Sequence, residues 1–189
     1  PVKDVPELIA FLRANPGKYN FGSSGIGTSI HLSGELFMQL TGTKMTHVPT
    51  RSSAVLVQAL ITGEVALSFD NFTSPYPHYK SGSIRGLAVT TAQRAKITPE
   101  IPPLGDFLPG FDISSWNGFI APAATPKEIV DRLSTEMRAV LSEPAIISRF
   151  DEMGAAAISS TPEQMADISR KEIAKFKDII EKAGITLQN

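Results

Sequence analysis

A loop rich in glycine and hydroxyl side chains is the segment of this sequence best suited to bind a ligand. It covers residues 21–29, Phe-Gly-Ser-Ser-Gly-Ile-Gly-Thr-Ser, between a predicted strand and a predicted helix. Free backbone N–H groups at a helix start, the positive end of the helix dipole and several hydroxyl donors favour an anion there. The predicted ligand group is a carboxylate or phosphate. The alternative is a tight turn that needs glycine only for its backbone.

Three well-known motifs fail on this loop. A P-loop needs Lys after its last glycine, where Thr28 stands. A dinucleotide fingerprint needs a third glycine at the position of Ile30, and a nucleophile elbow centred on Ser24 needs glycine at the position of Ile26. These mismatches argue against a nucleotide phosphate, a dinucleotide and a serine hydrolase.

Two further polar loops follow predicted strands. Because ligands of parallel α/β sheets lie at the carboxyl ends of the strands, the three loops are predicted to line one rim. Arg51 could add a charge-assisted hydrogen bond to an anion, with a solvated arginine or a partner for Asp70 as the alternative. The predicted rim residues are Ser24, Thr28, Thr50, Arg51, Asp70 and Asn71.

The three histidines, His31, His47 and His78, are not at metal-ligand spacing, so no metal site is predicted. His31 falls in the first turns of the helix after the glycine loop. There it could donate to a bound carboxylate or make a structural hydrogen bond. No cofactor and no catalytic residue is predicted.

Helix and strand signals alternate through the first part of the chain. This alternation predicts an α/β fold with a mainly parallel sheet covered by helices. The predicted helices cover residues 5–14, 28–40, 53–61 and 74–80, and the predicted strands cover residues 19–22, 45–48, 65–69 and 84–90. Residues 113–121 and 155–158 are predicted as further strands, and three more helices are predicted to begin at Thr125, Pro144 and Thr161.

Composition excludes several classes of protein. The 189 residues are 42% hydrophobic and 20% charged, which is typical of folded domains rather than disordered chains. The net charge of -1 argues against a nucleic-acid partner, and the lack of cysteine excludes disulfides and cysteine-ligated zinc. No apolar run approaches the roughly 20 residues that span a bilayer, so no direct membrane insertion is predicted. Any signal peptide is predicted to lie outside this sequence.

The composition changes near Ala121. Gly154 and Gly184 are the two glycines that follow this point, and charged residues become denser. Charged, glycine-poor sequence is typical of amphipathic surface helices. A domain boundary is therefore predicted between residues 1–120 and residues 121–189.

Several motifs in order resemble the TctC-like, or Bug, solute receptors, which are the extracytoplasmic substrate-binding proteins of tripartite tricarboxylate transporters. The matching segments are residues 15–18, 21–37, 47–49, 69–71, 86–90, 115–118 and 121–123. The resemblance implies a periplasmic-binding-protein-like fold whose two α/β lobes close on a small carboxylate. It implies that residues 1–120 form the second lobe with its hinge strand, and that residues 121–189 are C-terminal helices completing the first lobe. The family's opening third is then absent from this sequence.

The resemblance also implies ligand contacts from the glycine loop, carried here by Ser23, Ser24, Gly25, Gly27 and Thr28. Further contacts are expected from the loop after His47-Val48-Pro49 and from Asp70. This chain departs from the family at Pro49-Thr50-Arg51-Ser52, where an aromatic residue usually follows the proline. Arg51 keeps the cation of the family pattern, and Thr50 stands where the aromatic residue is usual.

The leading hypothesis is a non-enzymatic periplasmic receptor that captures a small organic carboxylate between two lobes and delivers it to membrane transporter subunits. A carboxylate-sensing receptor module is one alternative. A hydrolase or transferase on a similar lobe, using His31 with Ser24 or Asp70, is the other.

Overall fold

The computed structural model describes residues 2–186, which form helices and a small parallel sheet. The helices are α1 (Val5–Ala14), α2 (Ser29–Thr41), α3 (Ser53–Thr62), α4 (Tyr76–Lys80), α5 (Lys127–Leu141), α6 (Pro144–Glu152) and α7 (Pro162–Ala183). The strands are β1 (Asn20–Ser23), β2 (Thr46–Pro49) and β3 (Leu67–Ser68). A short 3-10 turn covers Leu104–Asp106.

The sheet has β1 at its centre, in the order β2-β1-β3. Both pairings are parallel, and Phe21 of β1 lies opposite His47 of β2 and Leu67 of β3. Helix α2 connects β1 to β2, and α3 connects β2 to β3. The predicted α/β class with a parallel sheet is therefore confirmed, and the carboxyl ends of all three strands lie at one edge.

Local signals set the ends of the first helices. The Asp4 carboxylate accepts the Glu7 N–H at 2.8 Å and caps α1. Gly42 and Gly63 end α2 and α3 in the left-handed conformation, with φ of 65° and 77°, which a residue with a Cβ rarely adopts. These ends agree with the predicted helices to within one or two residues.

Two clusters of apolar side chains form the core around the sheet. The larger one joins α1, α2 and β1 to the segment before residue 112, and it contains Leu12, Phe21, Phe37, Met45, Leu104 and Phe111. The smaller one packs α3 against α2 and the sheet, through Ile30, Leu56, Ala59 and Val65. The sheet is thus held between helices on both faces, which fixes the loops at its carboxyl edge.

The predicted strand over residues 84–90 is wrong. Val89 makes a single bridge to Pro103, donating its N–H to Pro102 O at 2.9 Å and accepting the Leu104 N–H at 2.8 Å. Proline has no N–H to donate, so Pro102 and Pro103 cannot extend this pairing into a ladder.

The strands predicted over residues 113–121 and 155–158 are also absent from the described chain. Ile113 donates one hydrogen bond to Thr90 O, and residues 116–120 are exposed with no neighbouring strand to pair with. Ile158 is likewise exposed. The strand predicted over residues 65–69 is shortened to Leu67–Ser68. Apolar runs of this length form strands only where another strand offers its backbone groups.

The chain divides into two compact units. One contains the described residues up to Ser115 together with those from Lys177, and so holds the sheet and α1–α4. The other is Trp116–Phe176, in which α5 packs with α6. The predicted lobes, residues 1–120 and 121–189, stay a prediction. Within residues 2–186, no helix is both long enough and apolar enough to cross a bilayer.

Candidate functional site

The loops that follow β1, β2 and β3 are linked to one another at the carboxyl edge of the sheet. Thr50, after β2, donates its N–H to Ser23 O at 2.7 Å and its hydroxyl to the same oxygen at 3.0 Å. Ser53, at the start of α3, donates its hydroxyl to Asp70 Oδ1 at 3.0 Å. These contacts bring together three loops that lie far apart in the sequence.

Helix α2 begins at this edge, with Ser29 half-buried and Ile30 1% exposed. Thr28 is the N-cap, with φ of -70° and ψ of 159°, and its hydroxyl donates to Gly25 O at 2.8 Å. The next two N–H groups, of Ser29 and Ile30, make no hydrogen bond in the part of the chain that the structure describes. Unsatisfied N–H groups in the first turn, at the positive end of the dipole, form an anion-binding position.

Two glycines give the loop its shape. Gly25 has φ of 143° and Gly27 has φ of 77°, and both values lie where a side chain would be strained. Their N–H groups are already used inside the loop, because Gly25 donates to Ser23 Oγ at 3.1 Å and Gly27 donates to His31 Nδ1 at 3.1 Å. The glycines therefore direct the backbone rather than present their own N–H groups.

The two serines of the loop differ in exposure. Ser23 is 0% exposed, and its hydroxyl lies 2.6 Å from His47 Nε2 as well as contacting Gly25. Ser24 is half-buried, and its hydroxyl has no hydrogen-bond partner within residues 2–186. Ser23 thus supports the loop from beneath, and Ser24 has the hydroxyl that a ligand could reach.

A pair of histidines lies directly under the loop. The His31 and His47 rings stack with centroids 3.8 Å apart and planes 12° apart. His31 is 4% exposed, and its Nε2 lies 3.4 Å from Glu35 Oε1. Phe21 of β1 contacts both rings, with its ring centroid 5.0 Å from that of His47 and 6.1 Å from that of His31.

The pKa of His47 is lowered to about 4. Burial is the main cause, the neighbouring His31 adds to it, and Glu35 opposes it. His47 is therefore a neutral imidazole at neutral pH, which suits its short contact with the Ser23 hydroxyl.

Asp70 is the titratable group of the third loop. Its Oδ1 accepts hydrogen bonds from Ser53 Oγ at 3.0 Å and from the Asn71 N–H at 2.8 Å. Its Oδ2 is buried and has no partner among the described residues. Burial raises the pKa of Asp70 to about 6, although the two hydrogen bonds to Oδ1 oppose the rise.

Arg51 is exposed at the tip of the second loop. It makes no ion pair or hydrogen bond in the described chain, so the alternative of a pair with Asp70 is not formed. A guanidinium in this state remains able to bind an anion at the rim.

The residues predicted for the site are therefore close in space but differ in their contacts. Their ligand-binding role stays a prediction. The residues predicted from the sequence do not include Ser29 and Ile30, whose N–H groups are free, or His47, which contacts the loop through Ser23. Once Thr28 is identified as the N-cap, the free N–H groups follow from the capping rule, but the contact of His47 with Ser23 has no local sequence signal.

Other kinds of site have no support in the described residues. No group of three or more His, Asp or Glu side chains in residues 2–186 could hold a metal ion. His31 is bonded to Gly27 and Glu35 and contacts neither Ser24 nor Asp70, the partners that the enzyme alternative requires.

In parallel α/β folds, small ligands bind at the carboxyl edge of the sheet, where the unsatisfied N–H groups of α2 lie. Residues 1–185 match the family described as the tripartite tricarboxylate transporter family receptor, TctC. The chain belongs to this family, as its sequence motifs predicted. The family is one of receptors rather than enzymes.

Solved structures and curated proteins agree with this assignment. R. palustris Rpa4515 with adipate is 36% identical, with a TM-score of 0.92 over 98% of this chain and 62% of that one. MatC from Rhodopseudomonas palustris with bound malate is 25% identical, with a TM-score of 0.80 over 95% of this chain and 63% of that one. A UPF0065 protein from the tcbD-tcbE intergenic region of Pseudomonas sp. strain P51 is 33% identical over 180 residues, which are 94% of this chain and 54% of that protein. The chain thus spans about half the length of this curated relative, and about the same share of most of the others.

Proposed function

We propose that this chain is part of a periplasmic receptor that binds a small organic carboxylate and delivers it to a tripartite transporter. The observation that carries the proposal is the unsatisfied N-terminus of α2, where the Ser29 and Ile30 N–H groups have no partner within residues 2–186. Two adjacent N–H groups can each donate to one carboxylate oxygen. The helix dipole adds about 0.3–2 kcal/mol for an anion at this position.

The other polar groups of the edge fit the same ligand. The Ser24 hydroxyl and the Arg51 guanidinium are unpaired in the described chain and supply one neutral and one charged donor. Ser23 and Thr50 act through the loop backbone. Adipate and malate, the ligands named for two structural relatives, are both small dicarboxylates. We therefore expect the solute to belong to the small organic acids.

Asp70 would contribute differently from these donors. As a carboxylate it would repel an anion at the rim, whereas in its protonated form it could donate a hydrogen bond. With a pKa of about 6, Asp70 exists in both forms near neutral pH. Its role would then depend on the pH at which the receptor works.

The first experiment titrates the full-length receptor with adipate, malate and other mono-, di- and tricarboxylates by calorimetry, supported by the thermal midpoint. A ligand that binds only the native state must raise the midpoint. Binding of one acid class would support the proposal, and no response to any acid would contradict it.

A matched pair of variants tests the donor itself. Ser29→Pro removes the Ser29 N–H, and proline is favoured at the first helical position, where the extended Thr28 also accommodates it. Ser29→Ala removes only the hydroxyl. We expect about tenfold weaker carboxylate binding for Ser29→Pro than for Ser29→Ala at similar thermal midpoints, because one hydrogen bond to a charged group is lost. Equal affinities would exclude this N–H as a ligand donor.

Delivery to a transporter needs its own experiment, because a sensing receptor would bind the same acid. Co-purification of the ligand-loaded receptor with membrane transporter subunits, compared with the ligand-free receptor, would support delivery. Capture of a signalling protein instead would favour the sensor alternative. Fractionation of cells would test the periplasmic location.

A further inference from the structure

The Gly27 N–H, which lies inside the proposed carboxylate loop, is bound by an imidazole. It donates to His31 Nδ1 at 3.1 Å. A nitrogen that accepts a hydrogen bond carries no proton, so the His31 proton must be on Nε2. The contact therefore requires one particular tautomer of a neutral imidazole.

The surroundings of His31 favour that tautomer. Nε2 points towards Glu35 Oε1, 3.4 Å away on the same helix, and both side chains are largely buried. A carboxylate at this position stabilises the proton on Nε2. His47 of β2 stacks on the ring at 3.8 Å, and Phe21 of β1 adds an apolar neighbour. Glu35 and His47 are the titratable groups that the structure places against His31.

The position of Gly27 makes this contact important for the loop. Gly27 has φ of 77° and directly precedes Thr28, the N-cap of α2. Fixing its N–H fixes the plane of the Ile26–Gly27 peptide, which immediately precedes the entry into the helix. The direction of the free Ser29 and Ile30 N–H groups depends on that entry. A loop held in its binding conformation before the ligand arrives loses less entropy on binding.

We propose that His31 is a positioning residue, which orients the carboxylate loop by accepting the Gly27 N–H on Nδ1 while Glu35 holds its tautomer. The proposal rests on the proposed function for its effect on affinity. Its structural part, the clamp on Gly27, can be tested without any ligand.

Two substitutions in the full-length receptor separate the acceptor from the rest of the ring. His31→Asn places its Oδ1 where Nδ1 stands and keeps an acceptor for the Gly27 N–H. In His31→Leu the side chain is similar in size and shape to that of asparagine but has no acceptor. Both variants lose the stacking on His47 and the contact with Glu35. A difference between them therefore reports on the Gly27 hydrogen bond.

Two measurements are made on the wild type and both variants. Calorimetric titration with adipate and malate gives the affinity, and amide hydrogen exchange by NMR gives the protection of the Gly27 N–H. We expect His31→Asn to bind within about threefold of the wild type and His31→Leu to bind about tenfold more weakly. We also expect Gly27 to be protected in the wild type and His31→Asn and to exchange faster in His31→Leu.

The outcomes separate this inference from the proposed function. If the wild type binds an acid and both variants lose affinity equally, the positioning role is overturned. If the wild type binds no acid, the proposed function fails, and the exchange data alone then test whether His31 holds the Gly27 N–H. Equal Gly27 protection in all three proteins would overturn it, and loss of protection in His31→Leu alone would support it.

Discussion

Burial shifts the pKa values of His47, in β2, and of Asp70, in the loop after β3, in opposite directions. Burial disfavours the charged form of both groups, so it lowers the pKa of His47 to about 4 and raises that of Asp70 to about 6. Each group is linked to a hydroxyl, Ser23 for the imidazole and Ser53 for the carboxyl. At neutral pH His47 is therefore neutral, whereas Asp70 is mainly a carboxylate and becomes protonated as the pH falls through about 6.

The first prediction concerns Asp70. The folded state binds the Asp70 proton more tightly than the unfolded state, so the free energy of unfolding should fall as pH rises from about 4 to about 6. We expect a loss of about 1–3 kcal/mol, allowing for partial exposure. In a His47→Gln background, Asp70→Asn should abolish this slope in urea unfolding measured at a series of pH values. An unchanged slope after Asp70→Asn in that background would show that another group is responsible.

The second prediction concerns His47 and has the opposite sign. The unfolded state binds the His47 proton more tightly, so the free energy of unfolding should fall as pH decreases from about 6.5 to about 4. His47→Gln keeps a polar group near Ser23 and cannot titrate. Because the two slopes oppose each other in the wild type, each should be read from the variant lacking the other group. An unchanged acid slope in His47→Gln against the Asp70→Asn background would contradict the prediction.

At the scale of the elements, close contact between helices and the central strand depends on two glycines. A Cβ added to Gly34 in the middle of α2 would overlap the ring of Phe21 in β1. One added to Gly22 in β1 would overlap Leu56 of α3. Both neighbours are fully buried. A glycine inside a helix lowers the stability of the helix relative to alanine. Here Gly34 allows α2 to approach the sheet, which places the loop next to the histidines.

The third prediction tests this contact. Gly34→Ala would stabilise an isolated helix, yet in the full-length protein it should lower the free energy of unfolding by about 1–3 kcal/mol through overpacking against Phe21. Phe21→Leu combined with Gly34→Ala should recover part of the loss, measured in a double-mutant cycle of urea unfolding. If Gly34→Ala raised the free energy of unfolding, the Phe21 ring would have to move aside at little cost, and the prediction would be wrong.

At the scale of the whole molecule, the unit Trp116–Phe176 leaves large apolar side chains uncovered. Phe119 is 77% and Ile120 is 90% exposed. Along one face of α5, Ile129, Leu133 and Val140 are also exposed. Apolar surface of this extent is typical of a face that packs against another protein segment.

The fourth prediction follows for the 189-residue chain expressed by itself. It should bind a hydrophobic dye and self-associate, measured by light scattering after size-exclusion chromatography. Ile120→Ser with Leu133→Lys should reduce both effects. Val55→Ser, at an exposed apolar position of the sheet-containing unit, is the control and should change little. A monomeric wild type without dye binding would contradict the prediction.

The sequence alone was sufficient for the helix ends, the parallel α/β class, the glycine loop and the family. These depend on near neighbours: Asp4 caps its own helix, Gly42 and Gly63 adopt a conformation that few other residues reach, and the loop glycines precede Thr28. Only the tertiary structure decided which N–H groups remain free, that Ser23 faces inward to His47, and that Asp70 has an unpartnered oxygen. It also decided that residues 84–90 form no strand. The reason is that burial and pairing depend on groups distant in the chain, which no local pattern specifies.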